Sequence, residues 1–452
     1  MLRHVVMAIC VIFGLKLAWN TVAIGLSFAY LHSQNKPHLQ SGSAVRSKIF
    51  IIVPLLREQA RLSPLLDRFS ELVKRYSFLQ LVLVTSEREL VEKKFQDASM
   101  TTQELITASE VFRSLPAGRK HHFHFPFNNH LISEQLNFAL SKLLEAKLAT
   151  NSDYILLYNA DSLIDFSTIN EMAELVKRGV LIAQQSSLFL KNIEGLLLKR
   201  EYVAAGDAIF QSRWTLEREI PRYLIGSGMV SFIPSVVSKN WFAHCVGHGL
   251  LIQISVLDRI GGFPMPVVGL EDSATGFKLR ALGLKITPIP VLENGDAAET
   301  VGSLVRQKSN WVRGPIGSVE YLVNTWTSGN SKVRCIWLML QGMYSGLKWA
   351  FGSIALTFAL AASIYTGQWP IFCLLYGIYC WLPFFITLLV WRLLPREIFP
   401  RIPVIKLAPV CIVYPAIPML HGFSGLYGIM RIARQLLFHD RFRQAKTETL
   451  LF

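Results

Sequence analysis

The chain is strongly apolar at both ends and ordinary in the middle. Residues 5–31 form a nearly unbroken apolar run, and comparable runs return only after Cys335. About 20 apolar residues span a bilayer, so the first run fits a membrane helix better than a secretory h-region. A cleaved signal peptide ending near Ser43 and Ala44 is the lesser alternative. Lys16 interrupts the run. A cation at the bilayer centre costs ~2.5–3.5 kcal/mol on insertion scales, so Lys16 is expected to snorkel or to find a partner on another helix. Composition agrees: 51% of residues are apolar and 17% charged, against about 25% charged in soluble domains. Long disorder and a wholly soluble enzyme are both excluded.

At the other end, residues 349–366 and 370–391 read as two spans with Trp349, Tyr365 and Trp369 as interfacial aromatics. Residues 335–348 mix apolar and polar side chains and are expected to form a separate amphipathic helix lying flat at the interface. Residues 404–421 contain Pro409, Pro415, Pro418 and Lys406, which leaves a kinked span and a re-entrant segment both open. Arg392, Arg396 and Arg401 follow one span, and Arg431, Arg434, Arg441, Arg443 and Lys446 follow the last run. Both clusters favour the cytoplasm, which implies an even number of crossings between them. The expected organisation is an anchor over 1–32, a globular domain over 33–334 and the interfacial helix over 335–348. A membrane or re-entrant region over 349–432 and a basic cytosolic tail over 433–452 complete it. The six cysteines show no CxxC and no zinc spacing.

The globular part alternates short apolar, β-branched runs with helical periodicity. Residues 48–56, 79–85, 122–127 and 154–161 read as strands, and 58–75 and 131–147 as helices. This predicts an α/β domain with a mostly parallel sheet, whose ligands gather at the carboxyl ends of strands. Neither GxGxxG nor a P-loop is present.

Three segments carry chemistry. Asn159-Ala160-Asp161 ends a strand, where one carboxylate suits a hard divalent ion; an ordinary strand-end turn uses the same residues. Glu271-Asp272 opens a helix and supplies a general base or merely a favourable N-terminal charge. Gln307 and Trp311 stand at i and i+4 and share a helix face. An amide beside an indole suits a sugar; a membrane-proximal anchoring tryptophan is the plainer reading.

In order, the chain presents Glu58 after the first strand, NAD at 159–161, IGGFP at 260–264, ED at 271–272, QKSNW at 307–311 and then membrane. This order resembles the family 2 glycosyltransferases, inverting enzymes of GT-A fold that use nucleotide sugars. The similarity is greatest to their membrane-integrated branch of cellulose, hyaluronan and chitin-like oligosaccharide synthases. It covers about residues 48–320, and residues 438–448 resemble the branch's ending. The resemblance implies a Rossmann-like cytosolic GT-A domain between membrane helices. Asp272 would be the catalytic base with Glu271 in support, and Asp161 the ligand of Mg²⁺ or Mn²⁺. Pro54, Glu58, Ser86, Glu87, His130, Asn137, Asn159 and His248 would border the donor, and Gln307 and Trp311 would hold the acceptor. A nucleotide-sugar donor, a lipid-linked or glycan acceptor, membrane lipid and polysaccharide export or assembly proteins are the implied partners, in the cytoplasmic membrane with the domain facing the cytoplasm. The charge of +15 clusters beside apolar runs, which argues for membrane topology and against nucleic acid.

The sequence also departs from the family pattern. Asn159 replaces the first Asp of DxD, Asn310 the Arg of QxxRW, Ile132 a lysine, and Thr85-Ser86 an acidic pair. The lost arginine leaves Arg306 or Arg313 to steady a diphosphate. Transfer to a lipid-linked or glycan acceptor is the leading expectation. A polymer synthase and a non-catalytic scaffold of a polysaccharide assembly complex remain the alternatives.

Overall fold

The computed structural model describes residues 2–34, 45–92, 100–128, 131–162, 164–326, 331–394, 399 and 401–438. His130 and most of the tail lie outside them.

The strands are β1 (Ile49–Pro54), β2 (Leu79–Ser86), β3 (Lys120–Phe125), β4 (Tyr154–Leu157), β5 (Ile182–Gln184), β6 (Ser187–Leu188), β7 (Leu250–Gln253), β8 (Thr287–Pro288) and β9 (Glu293–Asn294). Seven make one sheet in the order β3-β2-β1-β4-β7-β5-β8, and β6 pairs with β9. The four strands expected from apolar runs are all present and parallel to one another. β1, β2 and β4 are buried almost throughout because helices cover both faces of the sheet. β7 breaks the pattern by running antiparallel to β4 and β5.

Two consequences position the site. The chain winds from β1 outward through β2 to β3, then returns to place β4 on the other side of β1. That reversal opens a crevice at the carboxyl ends of β1 and β4, where open α/β sheets bind ligands. Because β7 is antiparallel, its first residue Leu250 pairs with the last residue of β4, Leu157. The loop before β7 therefore reaches the same end of the sheet.

Four helical stretches are long and apolar enough to cross a membrane: Cys10–His32, Lys332–Tyr365, Trp369–Leu393 and Val404–Phe438. The chain is thus a mixed α/β domain flanked by such helices at both ends, consistent with a multi-pass membrane protein. Lys16 finds its partner, donating to the Tyr379 hydroxyl at 2.5 Å from beside its ring.

Two expectations need correction. Residues 335–348 are no separate interfacial helix; they begin the continuous 34-residue helix Lys332–Tyr365. That half docks on the α/β domain, where Gln341 donates to the Asn240 carbonyl at 2.8 Å and accepts from the Phe242 amide at 3.1 Å. The last run does not end near His421: it continues as helix Ile417–Phe438, so Arg431 and Arg434 lie within it rather than beyond it. The described stretch between the arginine clusters is kinked. Its prolines lack N–H donors, and it divides into Val404–Leu407, Ala408–Val413, Tyr414–Ala416 and Ile417–Phe438.

Proline also shapes the helix that joins the two regions. Tyr202–Trp214 and Ile220–Ser227 are one rod with a π-helical turn over Thr215–Glu219, where the Ile220 amide reaches back to the Thr215 carbonyl. Pro221 follows directly and cannot bond the Glu217 carbonyl, so the turn widens. This rod packs between the sheet domain and the membrane helices, sharing a core with Ile24, Leu31, Phe384, Leu388, Tyr414 and Ile417.

Candidate active site

A cavity of about 670 Å³ starts at the β1/β4 crevice and runs on into the membrane helices. Of the residues singled out in the sequence, Pro54, Glu58, Asn159, Asp161, His248, Glu271, Asp272, Gln307 and Trp311 line it. Segments as far apart in the chain as Pro54 and Trp311 thus face one space.

Three others lie elsewhere. Ser86 is buried at the end of β2, and Glu87 turns to β3, where its carboxylate meets His124 Nε2 at 3.1 Å. Arg88 is the residue of that segment on the cavity. Asn137 clamps the loop after Gly262, donating to the Phe263 carbonyl at 2.9 Å and accepting its amide at 2.7 Å. Its assignment to the donor border is replaced by this structural role.

Asp272 stands in the first turn of helix Glu271–Ala281. The helix can approach because residue 276 is glycine: a Cβ there would sit 2.5 Å from the Cys245 amide and the His244 Cα. Gly276→Ala should therefore destabilise the chain by about 1–3 kcal/mol, read as a lower unfolding temperature in detergent. Asp272 Oδ2 faces Gly247, and Gly249 with φ +65 turns that loop into β7.

Burial, then the neighbouring Glu271 carboxylate, push the Asp272 carboxyl up to about 7, against the Ser273 amide and His248, which favour its charged form. His248 is itself held charged: burial opposes this, but Glu293, 2.7 Å from Nδ1, raises it to about 9. Tyr223, Tyr321 and Cys245 also face Asp272, and burial keeps all three protonated. Asp272 is thus a carboxylate poised to take a proton near neutral pH.

At the crevice Asp161 pairs with Arg61 at 3.1 Å. Among the described residues no three His, Cys, Asp or Glu side chains converge as a metal site. The protein supplies Asp161 beside the Asn159 amide, which fits a cation that brings most of its ligands with a bound diphosphate and does not fit a cation held by the protein alone. Arg306 is exposed and off the cavity. Arg313 is committed to the Val267 and Val268 carbonyls at 3.2 and 2.7 Å. The arginines that line this part of the cavity are Arg61, Arg88 and Arg313. Beside Asn310 a guanidinium returns from another element, as Arg431 of the last membrane helix donates to its Oδ1 at 3.3 Å.

Gln307 and Trp311 share a face of helix Val301–Trp311, as their spacing predicts. What holds them went unread in the sequence: Lys308 donates to Gln307 Oε1 at 3.1 Å, lies 4.1 Å from the Trp311 ring centre and meets Asp207 at 3.4 Å. Asp207 also pairs with His421 of the last membrane helix. The rod's Arg213, Trp214, Glu217, Arg218, Glu219 and Arg222 line the cavity too. The signal was available as dense charge in an otherwise apolar stretch, RWTLEREIPR over 213–222.

Neither protein-family models nor curated proteins match this chain.

Proposed function

We propose that this protein is a membrane-bound inverting glycosyltransferase with a GT-A domain of the family 2 type. It would move a sugar from a nucleotide-sugar donor to a lipid-linked or glycan acceptor. The observation that carries the reading is one cavity joining a strand-end carboxylate, a carboxyl poised near pH 7 and an amide–indole pair, and continuing among the membrane helices.

On this reading the nucleoside diphosphate lies at the carboxyl ends of β1 and β4, near Glu58, Arg61 and Asp161. The acceptor hydroxyl, held against Gln307 and Trp311, attacks the anomeric carbon from the side opposite the diphosphate. Asp272 takes the hydroxyl proton as the new bond forms and the bond to the diphosphate oxygen breaks. Attack from the opposite face inverts the anomeric centre. His248, charged beside Glu293, lies where it favours anionic groups. A Mg²⁺ or Mn²⁺ ion brought with the diphosphate and held by Asp161 would neutralise its charge. Nucleotide sugars are cytosolic, so the domain would face the cytoplasm.

A second reading is a non-catalytic scaffold that binds nucleotide or glycan. The Arg61–Asp161 pair favours it, because the one acidic residue of the 159–161 turn is already satisfied. Nucleotide release by detergent-purified protein separates the two, screened across UDP-, GDP- and dTDP-sugars with added membrane extract, with Mg²⁺ or Mn²⁺ and then with EDTA. Metal-dependent release from one donor is the expected result. Donor binding without release on any donor would support the scaffold instead. Product length from the active donor would tell single transfer from polymer synthesis.

A further inference from the structure

The cavity mixes carboxylates and cations at its sheet end, with Glu58, Asp161, Glu271, Asp272 and Glu293 beside Arg61, Arg88, His248 and Arg313. Its membrane end is cationic: Lys16 from the first membrane helix, Lys348 from the second, and Arg213, Arg218 and Arg222 from the rod face it, against only Glu217 and Glu219. Of these, Arg213 and Glu217 pair with each other at 3.3 Å. Burial raises the Glu219 carboxyl, which moves it toward neutrality.

Among the described residues, the remaining basic groups form no ion pair with a carboxylate. Arg222 donates to Ser345 Oγ at 3.0 Å and meets His244 Nδ1 at 3.1 Å, and neither partner carries negative charge. Burial together with Arg222 pushes His244 down to about 3, so it stays neutral. Lys16 donates to a phenol. Among the described residues Arg218 and Lys348 have neither hydrogen bond nor ion pair, and Lys348 stands 5.2 Å from the Tyr344 ring centre. Four basic side chains converging with only Glu217 and Glu219 near them are costly to charge together unless an anion completes the set. The cavity gives such an anion room, and Arg218 faces it from the rod's π-helical turn.

We propose that the membrane end of this cavity is an oxyanion site, formed by Lys16, Arg218, Arg222 and Lys348, that seats a phosphate-type group carried by a membrane-resident acceptor. The identification of the occupant as acceptor rests on the transferase reading; the oxyanion site itself does not. Guanidinium and ammonium groups together suit a phosphate monoester, one through directed N–H donors and the other as point charge. An acceptor anchored there would leave its reacting end toward Gln307 and Trp311, on the path to Asp272.

The test uses the full chain in phosphatidylcholine nanodiscs, titrated with a long-chain alkyl monophosphate, with the alkyl alcohol of the same length, or with inorganic phosphate in the buffer. Saturable binding of the alkyl monophosphate and none of the alcohol is expected. Arg218→Gln and Lys348→Gln should each weaken it about tenfold or more, while Lys348→Arg and Asp272→Asn should keep it. Unfolding temperatures in plain nanodiscs show whether each variant folds, and Lys16→Gln on a different helix replaces one that does not. Equal binding of the alcohol, or undiminished binding in the charge variants, would overturn the site. Equally tight inorganic phosphate would keep the site but overturn its membrane-borne occupant. Binding is read without turnover, so a chain that binds the monophosphate yet uses no donor would refute only the transferase reading.

Discussion

Asp272→Asn is expected to lower sugar transfer by about 10²- to 10⁴-fold, the usual contribution of a positioned general base, while leaving fold and donor binding in place. The amide keeps the shape of the carboxylate but cannot take a proton. The same residue fixes the pH dependence. Transfer needs Asp272 deprotonated, and its carboxyl is pushed up to about 7 by burial and then by Glu271, so kcat/KM should fall as pH drops below about 7. Two substitutions move that limb in opposite directions. Glu271→Gln removes a like charge, lowers the Asp272 pKa and carries the limb to lower pH. His248→Gln removes a cation and carries it to higher pH. Arg313 lies behind Glu271 and stays charged throughout. A pH profile unmoved by both changes, or full activity in Asp272→Asn, would take the base role away from this residue.

Asp207→Ala is expected to be among the most damaging substitutions outside the cleft, costing about 3–5 kcal/mol of stability. Its carboxylate is 1% exposed between Lys308, also 1% exposed, and His421. Burial alone would raise the Asp207 carboxyl, but Lys308 and His421 hold it below the ordinary range. Removing it strands a buried ammonium that also holds Gln307 and touches Trp311. The double variant Asp207→Ala/Lys308→Met removes both charges and should recover much of the unfolding temperature. A loss under about 1 kcal/mol in the single variant would mean that water reaches the pair and that it does not tie the last membrane helix to the acceptor side.

Much of the architecture is legible in the sequence because it depends on local patterning. The strands at 49–54 and 79–86 are β-branched apolar runs of strand length, and the helix at Gln59–Arg75 has apolar residues at helical spacing. Such signals need no distant partner. Gln307 and Trp311 likewise share a face because 3.6 residues per turn puts them there. The misreadings fall where a distant contact decides. Residues 335–348 look interfacial because their polar groups are visible in the sequence and the domain surface that satisfies them is not. Asn137 resembles a donor-site residue, yet its amide is taken by a loop more than a hundred positions away. The membrane-end cations come from three elements whose convergence no spacing reveals.

By itself the sequence determined the long apolar helices at both ends, the α/β character between them and the shared face of Gln307 and Trp311. Each follows from hydropathy or from periods of two and 3.6 residues, which act over a few neighbours. Only the tertiary structure decided that β7 runs antiparallel and brings His248 onto the same cavity as Asp272, that Lys308 joins Asp207 to Gln307 and Trp311, and that basic side chains from three elements gather at one end of that cavity. Those outcomes depend on burial and charge balance between segments far apart in the chain. Desolvation is what raises Asp272 toward neutrality and makes an unpaired ammonium costly, and it exists only once the chain has closed around the group.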